Sequence, residues 1–473
     1  MDINTVRHDD IEVRVKRAID VLEAIQPEIN AVVTFIDPKE QLVALDGANQ
    51  NSPLYGVPVV LKDNISTKGI RTTASSAILD NYVPVFDAAV VTKLREAGAV
   101  MIAKTSMDEL GMGGTNQNAH TGEVNNPWDP SRIAGGSSGG SAVSVACGAV
   151  AVAIGTDTGD SVRKPAAYNG IIGVKPTYGR ISRYGVIPYA SSLDHVGYFT
   201  SSVEDAAGVL EALAGRDDRD MTTSYRPVEN YAANLNADMK GKKIAVLGNV
   251  LDAIDNEEIK ANFNNLVSQL KEAGATVEVK HLDETLMNAA LSVYYIIANA
   301  EATANHANLD GVRFGLSEDG ESVEEVMLKT RTKGFCSYVR KRFVIGSYSL
   351  FAENQDRILG KAQKIRRLIV DEYKKLFDGF DAVLAPAAGS IAPKHEESYA
   401  AKISKEANFA ECHMVLANFS GFPSMTIPSG FVDTMPVGIS ITTKAFDEQT
   451  MFNVAYAMEE MTLLKGNDVE VDA

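Results

Sequence analysis

Short apolar segments alternate with amphipathic ones along most of this chain. Residues 57–61 form an apolar run of strand type, residues 88–97 have helical spacing, and residues 99–103 are apolar again. The same strand–helix–strand order returns at 243–247, 257–273 and 275–279. Such units build a sheet with helices against its faces. The sequence therefore predicts an α/β fold, a large mixed β-sheet core covered by helices on both faces.

The remaining segments extend this pattern without a break. Ser201 and Glu204 have capping-box spacing for a helix through Leu213. Further strands are expected at 381–385 and twice within 424–443, before a closing helix from residue 447. No linker rich in Pro, Gly or Ser divides the chain. We therefore expect residues 1–473 to form a single domain, with a more helical portion near 285–380.

The charge balance limits the partners that the chain can bind alone. It has 62 acidic and 45 basic residues, a formal net charge of -17. Such a chain repels phosphate backbones, so contact with RNA would need a local patch or a partner. Three distant cysteines fit a reducing compartment, and we expect a cytoplasmic location. The uncharged run 141–156 is shorter than the roughly 20 residues of a membrane span, so no membrane association is expected.

Lys62 stands at the end of the apolar run 57–61. A lysine in this position is usually a surface residue whose amine reaches water. A catalytic role would need a desolvated amine, because only the neutral form accepts a proton. Moving the lysine pKa from about 10.4 to near 7 costs roughly 4–5 kcal/mol. Alone, Lys62 does not decide between these interpretations.

Two glycine-rich segments place serines among backbone amides. GGSSGGS at 135–141 precedes a small-residue helix, where it could bind an oxyanion or simply cap the helix. Through Ser137 it also fits the G-x-S-x-G pattern of α/β-hydrolases, a weak match. GTDTGDSVRKP at 155–165 follows an apolar strand and presents Ser161 as a possible nucleophile, although an ordinary loop could have this composition.

Taken together, Lys62 and the two segments resemble the amidase signature family in order and in spacing. The resemblance extends from about residue 56 to the final helix. It implies a catalytic triad of Lys62, Ser137 and Ser161, with no metal or cofactor in this chain. The backbone amides proposed for the oxyanion hole are those of Thr158, Gly159 and Asp160.

Within that family the chain is similar to the A subunits of glutamyl-tRNA(Gln) amidotransferases. The similar stretches lie at 175–180, 190–194, 310–315 and 361–364. The resemblance implies hydrolysis of the glutamine side-chain amide and ammonia supply for converting Glu-tRNA(Gln) to Gln-tRNA(Gln). It also implies a heterotrimer with B and C subunits, tRNA contacted mainly through a partner, and ATP and Mg on a partner.

The same resemblance assigns glutamine binding to Tyr294, Arg342 and Glu411. Arg342 would hold the α-carboxylate and an acid would face the α-ammonium group. Other interpretations are open, since Arg342 belongs to a basic run that could be a solvated helix face and Tyr294 could be a core residue. The chain departs from the family in having Glu411 for aspartate and Asp160 for glycine.

Three alternatives compete with this hypothesis. The chain could be a stand-alone amidase of the same family acting on another small amide. It could be an α/β-hydrolase with Ser137 as nucleophile, Asp194 as acid and a later histidine, which leaves Lys62 unexplained. Asp160 could also mark a degenerate, non-catalytic subunit. His195 beside Asp194 suggests a dyad, but neighbours in sequence point to different sides.

Overall fold

The computed structural model describes residues 2–398, 412–465 and 469. Its centre is an 11-stranded sheet with the order β1-β3-β2-β4-β6-β5-β10-β11-β9-β7-β8. The strands are β1 Val32–Phe35, β2 Pro58–Lys62, β3 Val100–Thr105, β4 Val152–Asp157, β5 Ile172–Lys175, β6 His195–Thr200, β7 Lys243–Leu247, β8 Thr276–Lys280, β9 Ala382–Pro386, β10 Ser424–Val432 and β11 Met435–Thr443.

α-Helices precede the first strand, occupy connections between later strands and follow the last one. They are α1 Ile3–Val6, α2 Ile11–Ile29, α3 Lys39–Ala44, α4 Ala89–Glu96, α5 Gly139–Ala146, α6 Arg163–Asn169, α7 Val203–Leu213, α8 Gly248–Asp252, α9 Glu257–Glu272, α10 Glu284–Asn305, α11 Val323–Gly334, α12 Ser337–Leu350, α13 Ala352–Asn354, α14 Lys361–Lys374, α15 His395–Ser398, α16 Val415–Ser420 and α17 Glu448–Thr462. None of these described helices is both long enough and apolar enough to cross a membrane.

Both faces of the sheet are buried under helices, as the side chains of β7 illustrate. Ile244 and Val246 belong to an apolar cluster with Phe263 of α9. Ala245 and Leu247 point the other way, into a cluster formed with α10 and α12. Successive strand residues face opposite sides, so an uninterrupted apolar strand needs cover on both. The predicted fold class, a large mixed sheet between helices, is confirmed.

Strand pairing brings two segments of the candidate site to one edge of the sheet. β2 and β4 are parallel neighbours, with Leu61 paired to Ile154. Their carboxyl ends therefore meet at the same edge, where ligands commonly bind in α/β folds. Lys62 ends β2 and Asp157 ends β4, and the loop 158–162 joins β4 to α6.

Most predicted elements lie within one or two residues of the observed ones. The helix before Leu213 is an instructive difference, because its N-cap is Ser202 and not Ser201. The Ser202 side chain accepts a hydrogen bond from the Asp205 amide at 3.1 Å. The sequence prediction used Ser201 and therefore began the capping box one residue too early. Between β8 and β9 the described secondary structure is helical.

Candidate active site

Lys62 carries a fully buried amine at the end of β2. Its Nζ lies 2.8 Å from Ser137 Oγ, 2.8 Å from Ser138 Oγ and 3.1 Å from the Thr156 carbonyl oxygen. Burial lowers the lysine pKa to about 7, although the carboxylates of Asp108, Asp157 and Asp194 act in the opposite direction. Close to neutral pH a large fraction of this amine is therefore uncharged and able to accept a proton.

The hydrogen-bond directions around Lys62 favour Ser137 as the proton donor. Ser138 Oγ lies 3.1 Å from the Thr156 carbonyl oxygen, so the Ser138 hydroxyl donates there. A neutral amine has two protons and one lone pair. It can donate to Ser138 Oγ and to the carbonyl and still accept the proton of Ser137. The sequence reasoning did not assign a role to Ser138, although it lies in the quoted serine-glycine segment.

Close backbone contacts hold Ser137 in place. The Gly136–Ser137 peptide is cis. A Cβ added to Gly136 would lie 2.0 Å from Asp108 Oδ2, so no side chain fits there. The Asp108 amide in turn donates to the Ser137 carbonyl at 3.3 Å. Asp108 is fully buried, and burial raises the pKa of its carboxyl to about 6.

The loop with Ser161 is closed by a buried ion pair. Arg163 donates from Nη2 to Asp157 Oδ1 at 2.9 Å and from Nε to Asp157 Oδ2 at 3.1 Å. It also donates to the Gly159 carbonyl at 2.8 Å and the Met414 carbonyl at 2.9 Å. Both side chains are fully buried. This bidentate pair fixes the loop on both sides of Ser161, which stands between its two members.

The loop contains unused backbone donors next to Ser161. None of the amides of residues 158–161 donates a hydrogen bond to any described residue, and the stretch lies outside helix and strand. Consecutive free amides beside a nucleophile suit a developing oxyanion. Ser161 is 3% exposed. Its hydroxyl forms no hydrogen bond with described residues, so the predicted Ser137–Ser161 contact is not made in this state of the chain.

Two acidic side chains flank the loop. Thr158 Oγ1 donates to Asp194 Oδ1 at 2.7 Å, and the amides of Tyr189 and Ala190 donate to the same carboxylate. Asp160 Oδ2 lies 3.4 Å from Lys164 Nζ. Burial raises the pKa of Asp160, and Lys164 acts against that shift. The negative charge that the sequence placed beside Ser161 is thus partly balanced by Lys164, while Arg163 is committed to Asp157.

Tyr294 and Arg342 lie on the helical side of the loop. A Cβ added to Gly159 would lie 3.1 Å from Tyr294 Cζ, so the tyrosine ring borders the loop directly. Arg342 is 8% exposed, whereas Arg340 and Lys341 are exposed. The basic run is therefore not a uniformly solvated helix face, and its third member points inwards.

Arg342 lies in a cage of aromatic rings. It donates to Tyr189 Oη at 2.7 Å and also to Tyr338 Oη. Its guanidinium carbon lies 4.9 Å from the Tyr295 ring centroid and 4.7 Å from that of Tyr338. Within residues 2–398 and 412–465, Arg342 forms no ion pair. The predicted acid of this group, Glu411, lies outside the described residues.

Several of these residues escaped the sequence reasoning. Asp157 and Arg163 were inside a quoted motif, and an acid and a base six positions apart at the end of a buried strand were a usable signal. Tyr189 gave no local signal, because its contact with Arg342 spans remote segments. The dyad suggested by His195 beside Asp194 finds no support. His195 Nδ1 lies 2.7 Å from the Leu193 carbonyl oxygen, and the Asp194 carboxylate accepts a hydrogen bond from Thr158.

Comparison with known proteins identifies the family of the chain. A model of the family described as Amidase matches residues 14–452. The A subunit of the glutamyl-tRNA(Gln) amidotransferase of Pediococcus pentosaceus is 39% identical over 465 residues, covering 97% of this chain and 94% of that protein.

Solved structures of similar proteins also match nearly the whole chain. The A subunit of the glutamyl-tRNA(Gln) amidotransferase of Thermotoga maritima superposes with a TM-score of 0.80 at 33% identity, covering 97% of this chain and 94% of that one. The native peptide amidase of Stenotrophomonas maltophilia gives a TM-score of 0.83 at 29% identity, covering 98% and 97%. The extent of these matches shows that the chain belongs to the amidase family of enzymes.

Proposed function

We propose that the chain hydrolyses the side-chain amide of glutamine through Lys62, Ser137 and Ser161. The observation that carries this proposal is the buried Lys62 amine, 2.8 Å from Ser137 Oγ and 3.1 Å from the Thr156 carbonyl on the strand that leads to Ser161. Neutral Lys62 takes the Ser137 proton, and Ser137 takes the proton of Ser161 once substrate draws the two hydroxyls together. Catalytic hydrogen bonds often tighten only in the substrate complex.

The covalent steps follow from this relay. Ser161 Oγ forms a bond to the amide carbon, and the free amides of Thr158, Gly159 and Asp160 receive the oxyanion. The relay returns a proton to the nitrogen, the C–N bond breaks, and ammonia leaves. Water then attacks the glutamyl ester, its proton passes through Ser137, and the ester bond to Ser161 breaks to release glutamate.

The aromatic cage supports an α-amino acid as substrate. Arg342 is a permanently charged, buried group whose described contacts are neutral hydroxyls, rings and the Asn299 amide oxygen. A buried cation is stabilised best by an anion with matching geometry. The α-carboxylate of glutamine supplies such an anion, and Tyr294 would contact the substrate beside Gly159. Glu411 is proposed for the α-ammonium group from the family resemblance alone.

The relatives support a place in a larger assembly. They are named as A subunits of a glutamyl-tRNA(Gln) amidotransferase. We therefore propose B and C subunits as partners, with the ammonia passing to a partner that uses ATP and Mg to amidate glutamate on tRNA(Gln). The net charge of -17 is consistent with tRNA contacts made mainly by that partner in the cytoplasm.

The nucleophile is tested by Ser161→Ala in the complex with its partner subunits. We expect glutamine hydrolysis to fall by about three orders of magnitude or more, because the covalent step is lost. Ser268→Ala on the exposed side of α9 is the matched control and should keep wild-type activity. Retained glutaminase activity in Ser161→Ala would refute the triad.

A stand-alone amidase is the second candidate, favoured by the TM-score of 0.83 to a peptide amidase. The purified chain should then hydrolyse a different amide rapidly without partner subunits. A degenerate, non-catalytic subunit is separated by a serine-reactive phosphonate probe. Labelling of Ser161 that disappears in Lys62→Met would exclude it, because an inert serine would not react in either protein.

A further inference from the structure

A small enclosed cavity lies beside the proposed catalytic groups, and Tyr189 of the aromatic cage around Arg342 forms part of its lining. Its lining includes Asn64, Gly111, Thr158, Asp194 and His195. It leaves about 10 Å³ in which a water molecule can be centred, which suits a single water and is too small for a substrate. Neither Arg342 nor Tyr294 lines it.

Two buried polar atoms in the cavity lining need hydrogen-bond donors. Asn64 Nδ2 donates to Thr156 Oγ1 at 3.1 Å and points also towards the Ile187 carbonyl, which identifies the other side-chain atom as the amide oxygen. That oxygen has no hydrogen-bond partner among the described residues. Asn64 is 4% exposed, so bulk water does not satisfy it.

His195 supplies the second unsatisfied acceptor. Its Nδ1 lies 2.7 Å from the Leu193 carbonyl, so Nδ1 carries the proton. Burial lowers the pKa of this histidine well below its usual range, which keeps the ring neutral. Nε2 is therefore a lone-pair acceptor, and it too has no partner within the described chain. Two acceptors around one small space call for a molecule with two donors, and water is that molecule.

The cavity is continuous in its lining with a groove on the surface. Arg183, Val186 and Asp194 line both the cavity and the open groove beyond it. Arg183 is held at this junction by a hydrogen bond to Thr222 Oγ1 at 3.0 Å and lies 4.6 Å from the Tyr178 ring centroid. We call these three shared residues the neck of the cavity. The groove gives solvent a route to the neck, and neither Tyr294 nor Arg342 lines the groove.

The opposite wall of the cavity borders the catalytic serine. Gly111 lines the cavity, and a Cβ added to it would lie 3.9 Å from Ser137 Oγ. Gly111 has no side chain, so it places only backbone atoms between the cavity and that hydroxyl. Thr158, which begins the loop with Ser161, lines the cavity as well.

We propose that the cavity binds a water molecule between Asn64 Oδ1 and His195 Nε2, and that this is the entry route of the water that hydrolyses the acyl-enzyme. The second half of the proposal rests on the proposed function. The entering water loses a proton to Ser137 and forms a bond to the ester carbon. The bond from that carbon to Ser161 Oγ then breaks, and Ser161 regains a proton.

The binding site is tested without any activity measurement. A crystal structure at a resolution that reveals ordered water should show one within hydrogen-bond distance of both Asn64 Oδ1 and His195 Nε2. Val186→Ala, which widens the neck, should retain it. An apolar, dry cavity, or a side-chain arrangement that pairs these two atoms with protein groups, would overturn the proposal.

The entry route is tested by narrowing the neck in the complex with its partner subunits. Val186→Phe should leave acylation nearly unchanged and slow deacylation at least tenfold, so that glutamyl-enzyme accumulates on intact-mass spectra after mixing with glutamine. Val186→Met is the smaller substitution to use if the phenylalanine variant does not fold. Val186→Ala should show no accumulation.

The outcomes separate this route from the proposed chemistry. Wild-type turnover without acyl-enzyme accumulation in either narrowed variant would overturn the route and leave the triad intact. A variant that slows acylation as well as deacylation would also overturn the proposed route, because the substitution would then disturb the whole active site. If Ser161→Ala hydrolyses glutamine, the chemistry itself fails, whatever the neck variants do.

Discussion

Two buried arginines on opposite sides of the Ser161 loop have contrasting surroundings. Arg163 has a bidentate carboxylate partner in Asp157 and is fully buried. Arg342 is 8% exposed and contacts tyrosine hydroxyls and aromatic rings, with no ion pair in the part of the chain that the structure describes. The Arg163 charge therefore stabilises the folded loop, whereas we propose that the Arg342 charge binds an anion from outside the chain.

The largest expected difference is in stability. Arg163→Met removes the cation and leaves the Asp157 carboxylate buried, which should cost about 3–5 kcal/mol of unfolding free energy. Arg342→Met strands no buried anion among the described residues, so its change should stay within about 1 kcal/mol. Urea unfolding followed by circular dichroism measures both. Equal losses in the two variants would contradict a stabilising role that is specific to Arg163.

For substrate binding we expect the substitution of Arg342 to have the larger effect of the two. Arg342→Gln should raise the KM for glutamine about 100-fold with little change in kcat, because a charged hydrogen-bonded pair is worth about 3 kcal/mol. Arg340→Gln, on the exposed side of the same helix, is the control and should bind glutamine normally. An analogue without the α-carboxylate should be handled alike by wild type and Arg342→Gln. If Arg342→Gln still prefers glutamine to this analogue as strongly as wild type does, Arg342 does not bind the α-carboxylate.

Lys62 differs from both arginines, because a buried lysine can lose its charge and an arginine cannot. Burial lowers its pKa to about 7, whereas the unfolded chain titrates near 10.5. Between these values the unfolded state holds more protons, so the unfolding free energy rises with pH across the window. From pH 7.5 to 9.5 wild type should gain about 2.5 kcal/mol relative to Lys62→Met.

The measurement compares urea unfolding of the two proteins at both pH values. Lys341→Met, which removes an exposed lysine of α12, is the control and should follow wild type. The activity of wild type should likewise rise through about pH 7, since only the neutral amine accepts a proton. Parallel stability curves for wild type and Lys62→Met would mean that the amine stays charged in the folded protein.

The two arginines also mark how far sequence reasoning reached. Arg163 stood inside a local motif with Ser161, and the strand ends that carry Lys62 and Asp157 followed from apolar runs. Arg342 came only from family resemblance, because its partner Tyr189 lies in a remote segment of the chain, although Tyr338 stands one turn earlier on α12. The order of the sheet was likewise beyond the sequence, since it depends on which remote strands pair. Local motifs could predict the chemistry, but the cage is a product of tertiary packing.

Asp160 provides the smallest and most specific test, because it stands on the loop between Arg163 and the Tyr294 ring. It is not among the residues with positive φ, so the backbone does not demand glycine at this position. Its effect should therefore come from its charge. A carboxylate near the developing oxyanion raises the barrier, but Lys164 at 3.4 Å offsets part of that effect.

We expect Asp160→Asn to raise kcat about fivefold at pH 8, corresponding to about 1 kcal/mol of removed repulsion. Asp160→Gly, the residue typical of the family, should give the same gain, since both variants remove the charge. Lys164→Met should change kcat in the opposite direction, because it leaves Asp160 uncompensated. If only the glycine variant is faster, the Asp160 side chain slows the reaction through its bulk and not through its charge.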